Sequence, residues 1–235
     1  MSEWKPKRFW KNSLVVEAGN GFTVELDGRR VKTPAKAELI VPTQDMAEAI
    51  AVEWDAQDGQ VDPGTMPMTR SANAAIDKVR HQHAEVAEML AAYGDSDLLC
   101  YRADSPRELV QRQAEQWDPA LDWAAETLNA RLVSQSGVIH RPQNSEVIET
   151  LTKAVHALDS FQLAAFHDLV SLSGSLVLGF AAAKDWRKPD QIWQISRLDE
   201  LWQEELWGVD EEAQKMSDVK RQAFLHAKRF FDFSG

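Results

Sequence analysis

Residues 22–34, which read FTVELDGRRVKTP, carry the clearest structural signal in the chain. Phe22, Val24 and Leu26 alternate with other residues, as expected for a strand that buries one face. The Asp27-Gly28 pair follows directly, and an Asp-Gly pair between two such runs is typical of a tight β-hairpin. This stretch therefore predicts two antiparallel strands that turn at Asp27-Gly28.

The same two-residue period extends outward from this hairpin, from Leu14 to Val41. Short β-prone runs alternate there with turn residues such as Gly19-Asn20-Gly21 and Thr33-Pro34. The first 40 or so residues are therefore predicted to form a small β-meander.

A helical spacing begins after the meander. Thr43 is suited to cap a helix, and Met46, Ile50 and Trp54 recur at i, i+4 and i+8. This helix is predicted to end near residues 57–59.

A proline-rich connector follows this helix at Asp62-Pro63-Gly64 and Pro67. Each proline pushes the residue before it out of the helical region, which makes the connector rigid. We therefore predict a β-rich N-terminal domain with one helix at residues 1–64 and a helical C-terminal domain at residues 65–235. The predicted fold class is α+β.

The rest of the chain has mainly helical patterns. Ser105-Pro106 and Asp118-Pro119 each have the pattern of a helix start. Residues 131–138 predict a short strand or a loop. The remaining helices are predicted at residues 69–93, 145–158, 160–172, 173–183, 189–206 and 210–231.

The overall charge argues against nucleic acid and lipid partners. The chain has 26 basic and 37 acidic residues among 235, a net charge of −11, which opposes broad attraction to phosphates. The longest apolar run, residues 169–183, is shorter than the roughly 20 residues that span a bilayer. No apolar segment of signal-peptide length follows the basic start. We expect no membrane insertion and no export.

The usual catalytic patterns are missing from the sequence. The spacing of Gly174 and Gly179 is followed by Phe180 rather than the lysine of a phosphate-binding loop, so it predicts close helix packing. Cys100 has apolar neighbours and no adjacent histidine, which predicts a buried, inert thiol. The six histidines do not show a metal-binding spacing. We predict no catalytic residue, no cofactor and no metal site.

Two residue types leave alternatives open. Several tryptophans, including Trp54 and Trp207, lie beside charged or polar residues, and such rings either fill packing gaps or contribute to protein interfaces. Glu200 and Glu204 lie one turn apart on a predicted helix, which indicates either a solvated face or a docking surface for a basic partner.

Eight ordered blocks then resemble a known family. The chain resembles, over nearly its whole length, the assembly chaperones that bind the alpha subunit of the ATP synthase catalytic head. The blocks are RFWK (8–11), LDGRRVKTP (26–34), AVEWDAQ (51–57), DPGTMPMTR (62–70), SDLLCYRA (96–103), QWDPALDWA (116–124), LSGS (172–175) and the series Asp199, Glu200, Trp202, Gln203, Trp207 and Gly208.

The resemblance implies a non-enzymatic protein. It would bind the unassembled alpha subunit and shield its subunit interface until the beta subunit replaces it. The contact residues expected from it are Glu200, Glu204, Trp207, Trp54 and Arg70, with Trp54 open to a purely structural role. It also implies a β-rich domain followed by a helical domain. Separately, we expect the free protein to be monomeric.

Location follows from the same resemblance. Organelle-targeted members in eukaryotes, which are mitochondrial, carry an N-terminal extension, whereas here the first matching block begins at Arg8. We expect a bacterial cytoplasmic protein.

One alternative belongs to a different class. A small-molecule enzyme could use a cleft between the two predicted domains, with Arg70, Asp77 and His167 as polar groups. No residues in the sequence have a spacing typical of an acid-base catalytic pair or a metal site, so this alternative has no motif to support it.

Overall fold

The computed structural model describes residues 7–235 and has α+β architecture, which confirms the predicted fold class. The strands are β1 (Ser13–Ala18), β2 (Gly21–Leu26), β3 (Arg29–Arg30), β4 (Tyr101–Arg102) and β5 (Gln135–Ser136). The α-helices are α1 (Gln44–Asp55), α2 (Pro67–Asp77), α3 (His83–Ala91), α4 (Arg107–Thr127), α5 (Ser145–His156), α6 (Ser160–Ser173), α7 (Leu176–Ala183), α8 (Pro189–Ser196), α9 (Leu198–Trp207) and α10 (Glu211–Asp232).

The predicted β-meander is confirmed. Strands β1, β2 and β3 form an antiparallel sheet in chain order, with Val15 opposite Val24. Asp27 and Gly28 both have positive φ, 47° and 79°, as a two-residue hairpin turn requires. The Asp27 carboxylate accepts the backbone N–H groups of Asn12 and Lys11, and these hydrogen bonds lower the pKa of Asp27.

Helix α1 begins as predicted. The Thr43 side chain accepts a hydrogen bond from the backbone N–H of Met46 at 3.2 Å, which caps the helix. Met46 and Ile50 are fully buried and Trp54 is partly buried, so their shared face packs on the core. The helix ends at Asp55, close to the predicted end.

Contacts divide the chain into two compact units. The first unit contains the described residues up to His83, together with residues 160–165 and 229–235. The second contains residues 84–159 and 166–228. These units are defined by spatial contacts, and each combines segments that are distant in the sequence. The predicted boundary after residue 64 separates two continuous folding domains, and it stays a prediction.

The core of the first unit draws on all three of its segments. Apolar residues from the sheet, α1 and α2 pack with Phe161, Ala165 and Phe230. Phe161 and Phe230 stack with ring centroids 6.4 Å apart. The helices that carry these three residues therefore contribute to burying one face of the N-terminal sheet.

The predicted helix start at Asp118-Pro119 was wrong. Helix α4 runs without interruption from Arg107 to Thr127 and contains Pro119. Trp117, Ala120 and Ala124 on this helix are all fully buried. The free energy gained by burying this continuous face outweighs the cost of the backbone hydrogen bond that Pro119 cannot make.

Three other predicted helix bounds also differ from the structure. Gly174, with φ of 69°, ends α6, and Ser175 caps α7, so that helix starts later than predicted. Arg197 separates α8 from α9 within the predicted helix at 189–206. The predicted helix at 69–93 contains two α-helices, α2 and α3. Residues 135–136 form the short strand β5.

Two predictions about individual residues are confirmed. A Cβ atom built on Gly179 would lie 2.6 Å from Val170 Cγ2, so Gly179 permits close packing of α7 on α6. Cys100 is buried, and its burial, together with the charge of Asp97, raises the pKa of the thiol to about 12. This thiol therefore stays protonated and inert at neutral pH.

Candidate functional site

A groove between α9 and α10 forms the candidate site, and we call it the α9–α10 groove. It has a volume of about 410 Å³. Three of the five predicted contact residues, Glu200, Glu204 and Trp207, line it together. Its other lining residues are Arg197, Gln203, Gly208, Asp210, Ala213, Met216, Ser217 and Lys220.

The turn at the end of the groove is fixed by two local features. Gly208 has a φ of 88°, a conformation that residues with a side chain rarely adopt, and it ends α9. The Asp210 carboxylate then accepts the backbone N–H groups of Glu212 and Ala213, at 2.8 and 3.1 Å. Asp210 thus caps α10, which confirms the predicted helix start in this acidic run.

Apolar side chains are unusually exposed around this turn. Trp207 is 79% exposed, and Leu206, Val209 and Met216 are each more than half exposed. A large aromatic ring that leaves water on binding is a frequent anchor of protein interfaces. This exposure favours a binding role for Trp207 over a packing role.

Arg197 organises the acidic side of the groove. Its guanidinium contacts the Glu200 carboxylate at 3.1 Å and the Glu204 carboxylate at 3.8 Å. The Glu200 side chain is 48% exposed and the Glu204 side chain 22%. Both carboxylates are thus oriented by one cation while remaining accessible to a partner.

Helix α9 is anchored to α4, which gives the groove a rigid wall. The Gln113 amide donates to the Asp199 carboxylate at 2.7 Å. Arg112 makes two hydrogen bonds to Glu205, at 2.7 and 2.9 Å, and lies over the Trp202 ring. This pairing raises the pKa of Arg112 and lowers the pKa of Glu205.

The other two predicted contact residues lie in the first unit. Trp54 packs edge-to-face against Trp10, with ring centroids 5.2 Å apart. The indole N–H of Trp54 is buried and has no hydrogen-bond partner. Arg70 is exposed on α2. The contacts of Trp54 support its structural role.

The polar groups of the enzyme alternative make separate contacts, Asp77 in the first unit and His167 in the second. The Asp77 carboxylate accepts the Ala35 backbone N–H at 3.1 Å, which holds the loop after β3. His167 pairs with its neighbour Asp168 at 2.9 Å, and this hydrogen bond raises the pKa of His167. Within residues 7–235, no cluster of three or more His, Cys, Asp or Glu side chains has a metal-binding arrangement.

Comparison with known proteins identifies the family. The model of the ATP12 chaperone protein family matches residues 7–125, about half of the chain. The chain belongs to this family. ATP12 chaperones act in ATP synthase assembly, and this chain is one of them.

Relatives extend the ATP12 match over the whole chain. The crystal structure of Atp12 from Paracoccus denitrificans has a TM-score of 0.96 and 45% identity, covering 99% of this chain and all of that one. A protein of Agrobacterium tumefaciens has a TM-score of 0.92 and 39% identity, covering 97% of this chain and 86% of that one. Mitochondrial atp12 of Schizosaccharomyces pombe is 28% identical over 224 residues, 90% of this chain and 77% of that protein.

The α9–α10 groove lies outside the segment that the ATP12 family model matches, but inside the segment shared with the solved structures. Sequence reasoning missed the supports of the groove, Arg112 and Gln113, because their partners on α9 are 93 and 86 residues away. In the sequence, the signal for Arg112 and Gln113 is their place on one face of a long predicted helix, which does not identify their partners. No helix within residues 7–235 is both long and apolar enough to cross a membrane.

Proposed function

We propose that this ATP12-family chaperone binds the unassembled alpha subunit of the ATP synthase catalytic head. It shields the apolar surface of that subunit until the beta subunit replaces it. The observation that carries this proposal is the α9–α10 groove, in which the exposed Trp207 lies beside two oriented carboxylates. Free subunits of obligate complexes expose large apolar interfaces and aggregate, so a shield of this kind has a physical purpose.

The groove suits a segment that is both apolar and basic. Trp207 and Met216 offer apolar contact area, while Glu200 and Glu204 attract cationic side chains. Release needs no nucleotide hydrolysis, because a beta subunit that binds the same surface more tightly displaces the chaperone by mass action. The protein therefore acts as a binding protein rather than an enzyme.

Trp54 and Arg70 complete the proposed set of contact residues, with Arg70 supplying an exposed cation and Trp54 chiefly supporting its neighbours. We further infer that the free protein is monomeric and works in a bacterial cytoplasm. Its 45% identity to a Paracoccus denitrificans protein supports a bacterial origin.

The first test is co-expression with the alpha or the beta subunit of the same organism, followed by size-exclusion chromatography with light scattering. We expect a stoichiometric complex with alpha and none with beta, and a monomeric mass for the chaperone alone. If alpha is equally soluble without the chaperone and no complex elutes, the proposal is wrong and the small-molecule enzyme becomes the leading hypothesis.

The second test locates the contact surface. Trp207→Ala should weaken alpha binding by about 30-fold, as loss of an aromatic anchor typically does. Glu200→Lys and Glu204→Lys should also weaken alpha binding, because they reverse charges that attract the partner. This loss should be larger at low salt than at high salt. Glu126→Lys, at an exposed position near the end of α4, is the matched control. Unchanged affinity in the groove variants would exclude the groove as the contact surface.

A further inference from the structure

Residues 131–143 form a loop of the second unit that is held in place along its length, and we call it the anchored loop. Its strand β5 pairs with β4 in parallel, and the Gly137 backbone N–H donates to the Arg102 carbonyl at 2.9 Å. The side chain of Gln143 both accepts the Val133 N–H and donates to the Val133 carbonyl, each at 2.9 Å. The two ends of the loop are therefore joined to each other.

Asp95 and Tyr101 hold the second half of the anchored loop. Asp95 accepts the Gln143 backbone N–H at 2.7 Å and lies 3.2 Å from Nε2 of His140. The hydroxyl of Tyr101 lies 3.0 Å from Nδ1 of the same histidine. Both ring nitrogens of His140 are thus engaged, so the tip that precedes it has a defined position.

That tip presents apolar side chains to water. Val138 is 92% exposed, Ile139 78% and Val133 67%. Single exposed apolar residues are common on protein surfaces, but three within seven positions of a restrained loop form a patch. A rigid patch binds with less loss of conformational freedom than a mobile one, which favours a binding role.

The patch has a cation at its edge, whereas the chain as a whole is acidic. No acidic residue occurs between Glu126 and Glu146, although the chain carries a net charge of −11. Arg141 is exposed and has no ion pair within the described part of the chain, and Arg131 lies 3.9 Å from Asp122 with both side chains largely exposed. Asp122 and Asp95 pair with Arg131 and His140, so Arg141 is the cation that remains available at the edge of the apolar patch.

We propose that the anchored loop is a second docking surface for the same ATP synthase subunit, and that it fits an apolar depression with acidic borders on that subunit. This inference rests on the proposed function. Val138 and Ile139 would enter the depression, and Arg141 would pair with a carboxylate at its edge. The cation of Arg141 is complementary to an acidic partner surface, in contrast to the basic segment proposed for the α9–α10 groove.

A protein surface fits these observations better than a lipid surface. A polybasic site that holds a protein on an anionic membrane needs several cations, because each cation alone contributes little to the affinity. The anchored loop has two arginines, and the remaining chain is strongly acidic and repelled by such a membrane.

The test compares full-length variants for binding to the purified alpha subunit by biolayer interferometry. The double variant Val138→Ser/Ile139→Ser should weaken binding at least tenfold. Arg141→Glu should weaken it by about tenfold at low salt and by much less at high salt, because salt screens exposed charges, whereas Arg141→Lys should bind nearly as the wild type does. Val52→Ser, at a residue 67% exposed on α1, and Arg80→Glu, also exposed, are matched controls.

The outcomes separate this inference from the proposed function. If the groove variants weaken binding and the loop variants bind as the wild type does, the second docking surface is excluded while the proposed function stands. If the wild type binds no subunit, the proposed function and this inference both fail. A third outcome is that the wild type binds phosphatidylcholine vesicles with about one-fifth phosphatidylserine, and that the loop variants lose this binding but still bind the subunit. That outcome would assign the loop to lipid and overturn the proposal. Thermal melting of each variant verifies that the fold is retained.

Discussion

Several residues of the family blocks act on the backbone of distant segments. Glu53 in AVEWDAQ accepts the backbone N–H groups of Met68 and Thr69, at 2.6 and 2.8 Å, and so satisfies the start of α2. Arg8 in RFWK donates to the carbonyls of Asp55 and Gln57 at the end of α1. These blocks identified the family, yet the contacts of these residues are structural.

Asp97 is a buried carboxyl group of the second unit whose pKa is raised. It is fully buried and accepts hydrogen bonds from the Leu99 N–H, the Ser175 hydroxyl and the Val177 N–H, so it supports the start of α7 beside the Ser175 cap. Burial nevertheless outweighs these donors and raises its pKa from 3.8 to about 6. The native state therefore holds this proton more tightly than the unfolded state does.

The sign of the resulting pH dependence follows by linkage. Below pH 3.8 the stabilising effect of the bound proton is fully present, and it is lost as the pH rises through about 6. Asp97→Asn removes this titration. Relative to that variant, the wild type should lose about 2 kcal/mol of unfolding free energy between pH 4 and pH 7. Urea unfolding of both proteins at several pH values measures this difference, and a constant difference would contradict it.

Glu53 permits a second test at this scale. Glu53→Ala should lower the unfolding free energy by about 2 kcal/mol or more, because two backbone donors and the Thr69 hydroxyl lose a charged acceptor. Glu48→Ala removes an exposed carboxylate from the same helix and is the control. Equal stability of the two variants in urea unfolding would show that the Glu53 contacts contribute little.

At the scale of elements, packing outweighs local sequence signals. Helix α4 continues through Pro119 because its apolar face is buried, and the Trp117 indole donates to the Ile195 carbonyl at 2.9 Å. Helix α7 begins at Leu176 instead of continuing from α6, because Gly174 adopts a left-handed conformation that favours glycine. Periodicity identifies such helices, whereas their ends depend on partners far along the chain.

The contact between α6 and α7 gives a prediction at this scale. Gly179→Ala should lower the unfolding free energy by about 1 to 3 kcal/mol, because its methyl group would overlap Val170. Adding Val170→Ala should recover part of this loss, so the two substitutions should couple favourably in a double-mutant cycle of urea unfolding. If the effects of the two substitutions on the unfolding free energy are strictly additive, the strain does not arise from the contact between residues 179 and 170.

At the scale of the whole molecule, the first unit is completed by the end of the chain. Residues 229–235 belong to it, Phe230 is fully buried in its core, and the Thr43 hydroxyl donates to the Phe233 carbonyl. Gln162 donates to the Gly235 carbonyl at 3.2 Å. The N-terminal sheet thus depends on residues that lie far along the chain from it.

Phe230→Ala tests this dependence. It should lower the unfolding free energy by about 3 to 5 kcal/mol, as loss of a buried phenylalanine side chain usually does. Hydrogen exchange should accelerate first in β1, β2 and α1, whose apolar residues share the core with Phe230. Met216→Ala, at an exposed residue of the same helix, should leave these amides protected. Faster exchange confined to α4 and α5 would contradict this prediction.

The sequence by itself determined the elements whose signals are local. The Asp27-Gly28 turn, the Thr43 cap and the Asp210 helix start depend on neighbours within a few residues, so their patterns were sufficient. The family blocks add the class of protein, and the acidic and aromatic residues of α9 indicate a possible binding surface.

Only the tertiary structure decided which of these residues meet. It showed that Glu200, Glu204 and Trp207 line one groove, that α4 supports α9 through Arg112 and Gln113, and that residues 131–143 hold an apolar tip in water. The physical reason is that side-chain contacts between residues far apart in the sequence depend on how the helices pack. Burial of apolar faces sets that packing. The periodicity of a sequence identifies an apolar face, but it does not identify the distant residues that this face contacts.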